Sequence, residues 1–318
     1  MSRTFEDSVA VREATPLLVG LIGPSGSGKT FSALRLATGI QRVSGGDVYM
    51  IDTEARRGLH YAEDFRFRHV PFGAPFSPLD YLEAIAHCVK RGAKTIIVDS
   101  MSHEHEGPGG VLEMHEAALT RMAGSDYSKR AKMTMLAWAE PKQQRRRMIN
   151  SIIQMEANFI FCFRAKEKLK MERGKEPEKL GFMPQAGEEF VYEMVLKCLL
   201  MPGSKGVPTW DSDMPGERLM IKLPRQFEGL FSTGPQLTEE IGMKLAEWAA
   251  GAPQAAPPDV DALIARYQAG EDVKAEVKAA WRQMSKADRD RWTAAVEASR
   301  PVAGESTNTD APEPGSRG

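Results

Sequence analysis

Eight consecutive residues constrain this chain more than anything else in it: Gly23-Pro24-Ser25-Gly26-Ser27-Gly28-Lys29-Thr30. They follow an apolar run at 17–22 and precede a segment at 31–39 with helical spacing, the strand, loop and helix setting that a phosphate-binding loop requires. Glycines at 23, 26 and 28 let the backbone turn sharply and bring its N–H groups to phosphate oxygens, and the following helix start adds a favourable dipole. Lys29 is then expected on the β and γ phosphates of a nucleoside triphosphate, and the Thr30 hydroxyl on a magnesium ion. The loop predicts triphosphate binding and leaves open what the binding is for.

The rest of the site is expected at later strand ends. The first helix should run to about residue 42, and the Gly45-Gly46 pair breaks the chain before a short apolar strand at 48–51. That strand ends in Asp52-Thr53-Glu54, charged groups placed where ligands bind in open parallel sheets. A third strand is expected at 67–72 and a helix at 78–91. Then Thr95-Ile96-Ile97-Val98 closes on Asp99, the carboxylate expected at a strand end to hold the magnesium shell.

Net charge is −1, so the chain is no polycation that coats nucleic acid by bulk electrostatics, and any such binding must come from local patches. Three isolated cysteines, an odd number without metal-ligand spacing, read as reduced core residues of a cytoplasmic protein. No export signal and no membrane span are expected.

Two clusters admit more than one reading. His103-Glu104-His105-Glu106 suggests metal at first sight but lacks a nearby third ligand, which favours a solvated loop near the γ phosphate over zinc. In a helix expected at 140–155, Lys142, Arg145, Arg146 and Arg147 crowd the side opposite an apolar stripe, either as a solvated face or as a contact for phosphate backbone. A buried strand at 158–163 ends in Arg164 and Lys166, and a cation at that edge could sense the γ phosphate or stabilise transferring charge. Residues 167–188 read as a long polar loop carrying Lys168, Lys170, Arg173, Lys175 and Lys179.

Late strands are expected at 193–201, 207–210 and 218–223, then an amphipathic helix at 238–250. The expected organisation is an N-terminal segment at 1–14, a core at 15–250, an Ala/Pro/Gly linker at 251–258, a small three-helix unit at 259–298 and a disordered tail at 299–318.

Read together, the phosphate loop, Tyr49-Met50-Ile51-Asp52-Thr53-Glu54-Ala55 and Ile96-Ile97-Val98-Asp99-Ser100 resemble the ATPase core of RecA-type recombinases over roughly residues 15–230. The resemblance implies an α/β P-loop NTPase fold, a mostly parallel twisted sheet flanked by helices, that binds ATP and Mg2+. It implies that Glu54 activates the attacking water and that residues 158–163 form the sensing strand. The family's glutamine is missing there, and Arg164 stands in its place. By position, the basic stretch at 165–187 matches the second DNA-binding loop, and Lys129, Arg130 and Lys132 lie near the first.

The chain looks more like the compact RecA-like ATPases of bacteriophages, implicated in recombination and single-strand annealing, than like full-length bacterial RecA. That likeness implies DNA-stimulated ATP hydrolysis in the host cytoplasm, single-stranded DNA as partner and self-association into a filament or ring. A neighbouring subunit's cation would complete such a site, with Lys222 and Arg225 as candidates beside the reading that they are solvated edge charges. The last helices are candidates for recruiting a protein partner. A helicase-like or packaging motor, and a nucleotide-gated binding module with slow hydrolysis, are the alternatives.

Overall fold

The computed structural model describes residues 12–171, 176–251, 259–281, 284 and 286–299. Contacts divide the chain into two units, Met1–Pro253 and Gln254–Gly318.

In the first unit, β1 (Leu18–Gly23), α1 (Lys29–Ser44), β2 (Val48–Asp52), a 3-10 turn (Arg57–Tyr61) and β3 (Arg68–Pro71) come first. They are followed by α2 (Pro78–Lys90), β4 (Thr95–Asp99), α3 (His103–Glu106), α4 (Val111–Ala123), α5 (Tyr127–Ala137) and α6 (Ala139–Ile153). Then come β5 (Asn158–Lys170), β6 (Glu178–Pro184), α7 (Glu188–Tyr192), β7 (Leu196–Leu199), α8 (Pro215–Arg218), α9 (Glu228–Phe231) and α10 (Glu239–Ala249).

Six strands form a parallel sheet in the order β3-β2-β4-β5-β1-β7, and β6 lies antiparallel on the outer half of β5. This is the α/β architecture of a P-loop NTPase core. Its central strands are apolar runs because both of their faces are covered. Leu18, Ile22, Phe159, Phe161 and Phe163 pack with α2 and α6 on one face, while Val19, Leu21, Ile160 and Cys162 pack with α1 and α10 on the other.

Register brings the chemistry to one edge. Gly23 lies opposite Arg164, and Asp52 opposite Asp99. The loop after β1, Glu54 after β2, Asp99 at the end of β4 and Arg164 in β5 therefore meet at the carboxyl edge of the sheet.

Several local expectations need correction. The strand expected to end at residue 163 continues to Lys170, and much of the expected polar loop is its return strand β6, making a two-stranded arm. Residues 172–175 fall outside the described residues. Only Leu196–Leu199 is strand within 193–201, and the two later expected strands reduce to single bridges, Leu199 with Thr209 and Lys197 with Lys222. Pro208, Pro215 and Pro224 interrupt that region, and each removes a backbone donor a ladder would need. The His/Glu segment is a helical turn rather than a solvated loop, with Glu104 buried.

The second unit holds α11 (Val260–Gln268), α12 (Lys274–Ala280) and α13 (Lys286–Ala298) around a small core that includes Val260, Leu263, Val273, Val277, Met284 and Trp292. The tail expected to be disordered lies outside the described residues, apart from Ser299. Among the described residues no helix is long and apolar enough to cross a membrane.

Candidate active site

β1 is buried along its whole length and releases the chain at Gly23, where a Cβ would stand 2.2 Å from the Leu200 carbonyl oxygen. Gly26 and Gly28 take φ of 77° and 84°, left-handed values that allow the turn into α1. Lys29 opens that helix with its ammonium folded over the loop, donating to the carbonyls of Gly23 (2.9 Å) and Pro24 (2.8 Å). Burial pulls its pKa below the ordinary value.

The Thr30 hydroxyl donates to Asp99 Oδ2 at 2.6 Å. Asp99 is buried, and loss of hydration pushes its carboxyl up to about 6 against the opposing Thr30 contact. A buried carboxylate beside a hydroxyl is the hard-oxygen donor set that suits Mg2+.

Glu54 is presented by a tight turn. Asp52 Oδ1 accepts from the Glu54 N–H at 2.8 Å, and Oδ2 accepts from the Gly58 N–H at 2.9 Å and lies 3.0 Å from His69 Nε2. The next two residues, Ala55 and Arg56, are left-handed with φ of 54° and 65°. The Glu54 carboxylate receives Arg164 Nε at 2.9 Å and Nη2 at 2.6 Å on Oε1, and Nη2 also reaches Oε2.

These groups surround one cavity of about 570 Å³, lined by residues 25–30, Glu54, Arg57, Tyr61, Asp99, Arg164, Ala165, Lys166 and Gln185. Tyr61 packs against Phe31, and Phe31 against Phe65, making an aromatic wall beside the loop. The sequence reading missed Arg57, Tyr61 and Gln185. Tyr61 and Arg57 carry no motif, and Gln185 reaches the cavity only because β6 folds back, its N–H donating to the Arg164 carbonyl at 2.8 Å.

Residues 15–197, more than half of the chain, match the family described as an AAA domain. The chain belongs to that family. No curated protein matches it. As an AAA domain it is a P-loop NTPase, with nucleotide binding and ATPase activity in general.

Of the other expected residues, only Lys166 borders the cavity. Lys129 and Lys132 are exposed on α5, whereas Arg130 is engaged with Glu116, Thr120 and the Gly124 carbonyl. Lys166 borders the cavity 3.8 Å from Glu106, and Lys168 and Lys170 continue along the arm. Arg173 and Lys175 fall outside the described residues. Lys222 donates to the Met194 carbonyl at 2.8 Å, and Arg225 begins a 3-10 turn; neither lines the cavity. Among the cations expected on an open face of α6, Arg145 is instead buried against Glu104. The described residues hold no cluster of three or more metal-type ligands, so the zinc reading of the His/Glu segment has no set of donors there.

Proposed function

We propose that this AAA-family chain is an ATP-dependent DNA-binding protein of RecA type, acting in phage recombination or single-strand annealing. It hydrolyses ATP to ADP and phosphate. The observation that carries the reading is one cavity shared by Lys29, Thr30, Asp99 and Glu54 and bordered, through Lys166 and Gln185, by the foot of a basic two-stranded arm.

The loop N–H groups and Lys29 would grip the β and γ phosphates. Thr30 and Asp99 would hold Mg2+, which when bound neutralises charge on the phosphate oxygens. Glu54 would orient a water for in-line attack on the γ phosphorus and take its proton, which then passes to solvent. Tyr61 and its aromatic neighbours offer a face on which the base could stack. Lys168 and Lys170 on the arm, with Lys129 and Lys132 on α5, would contact the single strand. Arg173, Lys175 and Arg130 are the remaining candidates. Bound ATP would favour a filament or ring, with Lys222 or Arg225 reaching a neighbour's site, in the host cytoplasm. The three C-terminal helices would recruit a protein partner.

ATP turnover with and without single-stranded DNA tests this reading. Hydrolysis should rise with DNA, fall to background in Glu54→Gln and vanish in Lys29→Ala. No single-strand binding at low salt with ATP would sink it. Duplex unwinding or processive movement would favour a motor, and biological activity retained by Glu54→Gln would favour a nucleotide-gated module.

A further inference from the structure

Thr53 lies one residue before Glu54, where the ladder between β2 and β4 has just ended at the Asp52–Asp99 pair. Beyond that pair the two strand ends are joined through Thr53. Its N–H donates to the Asp99 carbonyl at 2.8 Å, and its buried hydroxyl meets Ser100 twice, accepting from the N–H at 2.8 Å and donating to the carbonyl at 3.1 Å. The third neighbour of that hydroxyl is His103 Nδ1, at 2.8 Å. A hydroxyl has one proton and two acceptor positions, so all three contacts are made together only when Nδ1 carries a proton and donates it to Thr53. The His103 ring is itself held in place, stacked on the buried Phe76 with centroids 5.0 Å apart and planes at 28°. After Glu54 the left-handed Ala55 and Arg56 turn the chain at once. The backbone that presents Glu54 is therefore fixed from before it, by the Asp52 carboxylate and by the Thr53 hydroxyl.

We propose that His103 is a positioning residue: its Nδ1–H holds the Thr53 hydroxyl between the ends of β2 and β4, which fixes Glu54 relative to Asp99 and sets the line along which water is aimed at the γ phosphorus. This deepens the ATPase reading and rests on Glu54 as the group that orients that water. It gives the first histidine of the His/Glu segment a task that needs no metal. His103 is not among the residues lining the nucleotide cavity, so its loss should spare binding and tell on turnover. A misplacement of about 1 Å in such a group is worth up to about a hundredfold in rate.

The test compares ATP turnover and nucleotide binding in full-length variants, with kcat expressed per site that binds adenylyl-imidodiphosphate, a triphosphate analogue that resists hydrolysis. His103→Phe keeps a ring against Phe76 and removes the donor, whereas His103→Asn puts an amide N–H in the place of Nδ1–H. His103→Phe should lower kcat between about ten- and a hundredfold while KM and analogue affinity stay within about twofold, and His103→Asn should return most of that loss. Thr53→Val removes the hydroxyl that His103 holds, so the variant carrying both Thr53→Val and His103→Phe should be no slower than Thr53→Val alone. The proposal falls if His103→Phe keeps the wild-type kcat, if His103→Asn is no faster than His103→Phe, or if the two losses multiply. A lowered thermal midpoint with unchanged kcat per binding site would make His103 structural only and overturn it equally. If Glu54→Gln keeps the wild-type kcat, the role given to Glu54 has failed first, and the positioning role of His103 goes with it.

Discussion

Glu104 and Arg145 form a buried pair, with Nε on Oε1 at 2.9 Å and Nη2 on Oε2 at 2.8 Å, their side chains 4% and 7% exposed. Burial raises the Glu104 pKa, and the guanidinium opposes that rise. Such a pair contributes little over an apolar replacement, but breaking it strands a charge. Arg145→Met should therefore destabilise the protein by about 3–5 kcal/mol in urea unfolding, and Glu104→Met with Arg145→Met should recover much of the loss. No recovery in the double variant would mean that the pair is not the cause. The same guanidinium donates to His105 Nδ1 at 3.0 Å. Burial, then Arg145 and Lys168, lowers the His105 pKa to about 4. The unfolded chain binds that proton nearer pH 6.5, so stability present at neutral pH is lost as pH falls from about 6.5 toward 4. His105→Gln should flatten the fall in urea midpoint between pH 7 and pH 5, and an unchanged slope would assign the acid sensitivity to other groups. The partner of Arg145 was not visible in the sequence. Reading Arg145 with its charged neighbours put it among exposed cations, although its helical spacing to Met148, Ile149 and Ile152 places it on the buried face of α6.

At the scale of elements, legibility followed how local the determining interactions are. The phosphate loop was readable because glycine conformation and helix start are properties of a few neighbouring residues, and Asp52, Glu54 and Asp99 because buried parallel strands announce themselves as apolar runs. The arm was not. Its alternation is hidden under charges on both faces, and its stability comes from pairing with its own return strand, with a register shift between Lys168 and Leu169. The contact of α1 with α10 was equally silent. A Cβ on Gly39 would meet the Glu239 carbonyl oxygen at 1.9 Å, and one on Gly242 the Leu36 carbonyl oxygen at 2.2 Å. Two glycines let the backbones touch, while Arg35 and Glu239 clasp beside them at 2.8 Å. Gly39→Ala should push the helices apart and destabilise by about 1–3 kcal/mol, read from the thermal transition. Because α1 carries Lys29 and Thr30 at its start, nucleotide affinity should fall in the same variant. A variant with lowered stability and undiminished affinity would show that the shift does not reach the loop.

For the whole molecule, the division of contacts at Pro253 and Gln254 separates the AAA site from the three C-terminal helices. Every residue lining the phosphate cavity lies before that boundary, as do both packed faces of the sheet. The second unit has its own core, but the six buried apolar residues among those described enclose too little surface to make three short helices strongly stable. A chain ending at residue 253 should consequently fold, bind the triphosphate analogue with unchanged affinity and hydrolyse ATP at the full-length rate. Its thermal midpoint should lie within about 4 °C of the full chain, the shift that about 1 kcal/mol gives at this size. Any role of the last helices would then emerge only where a partner is present, as a loss of DNA stimulation or of assembly in the shortened chain. Failure of the shortened chain to bind nucleotide would instead make the C-terminal helices part of what holds the ATPase together.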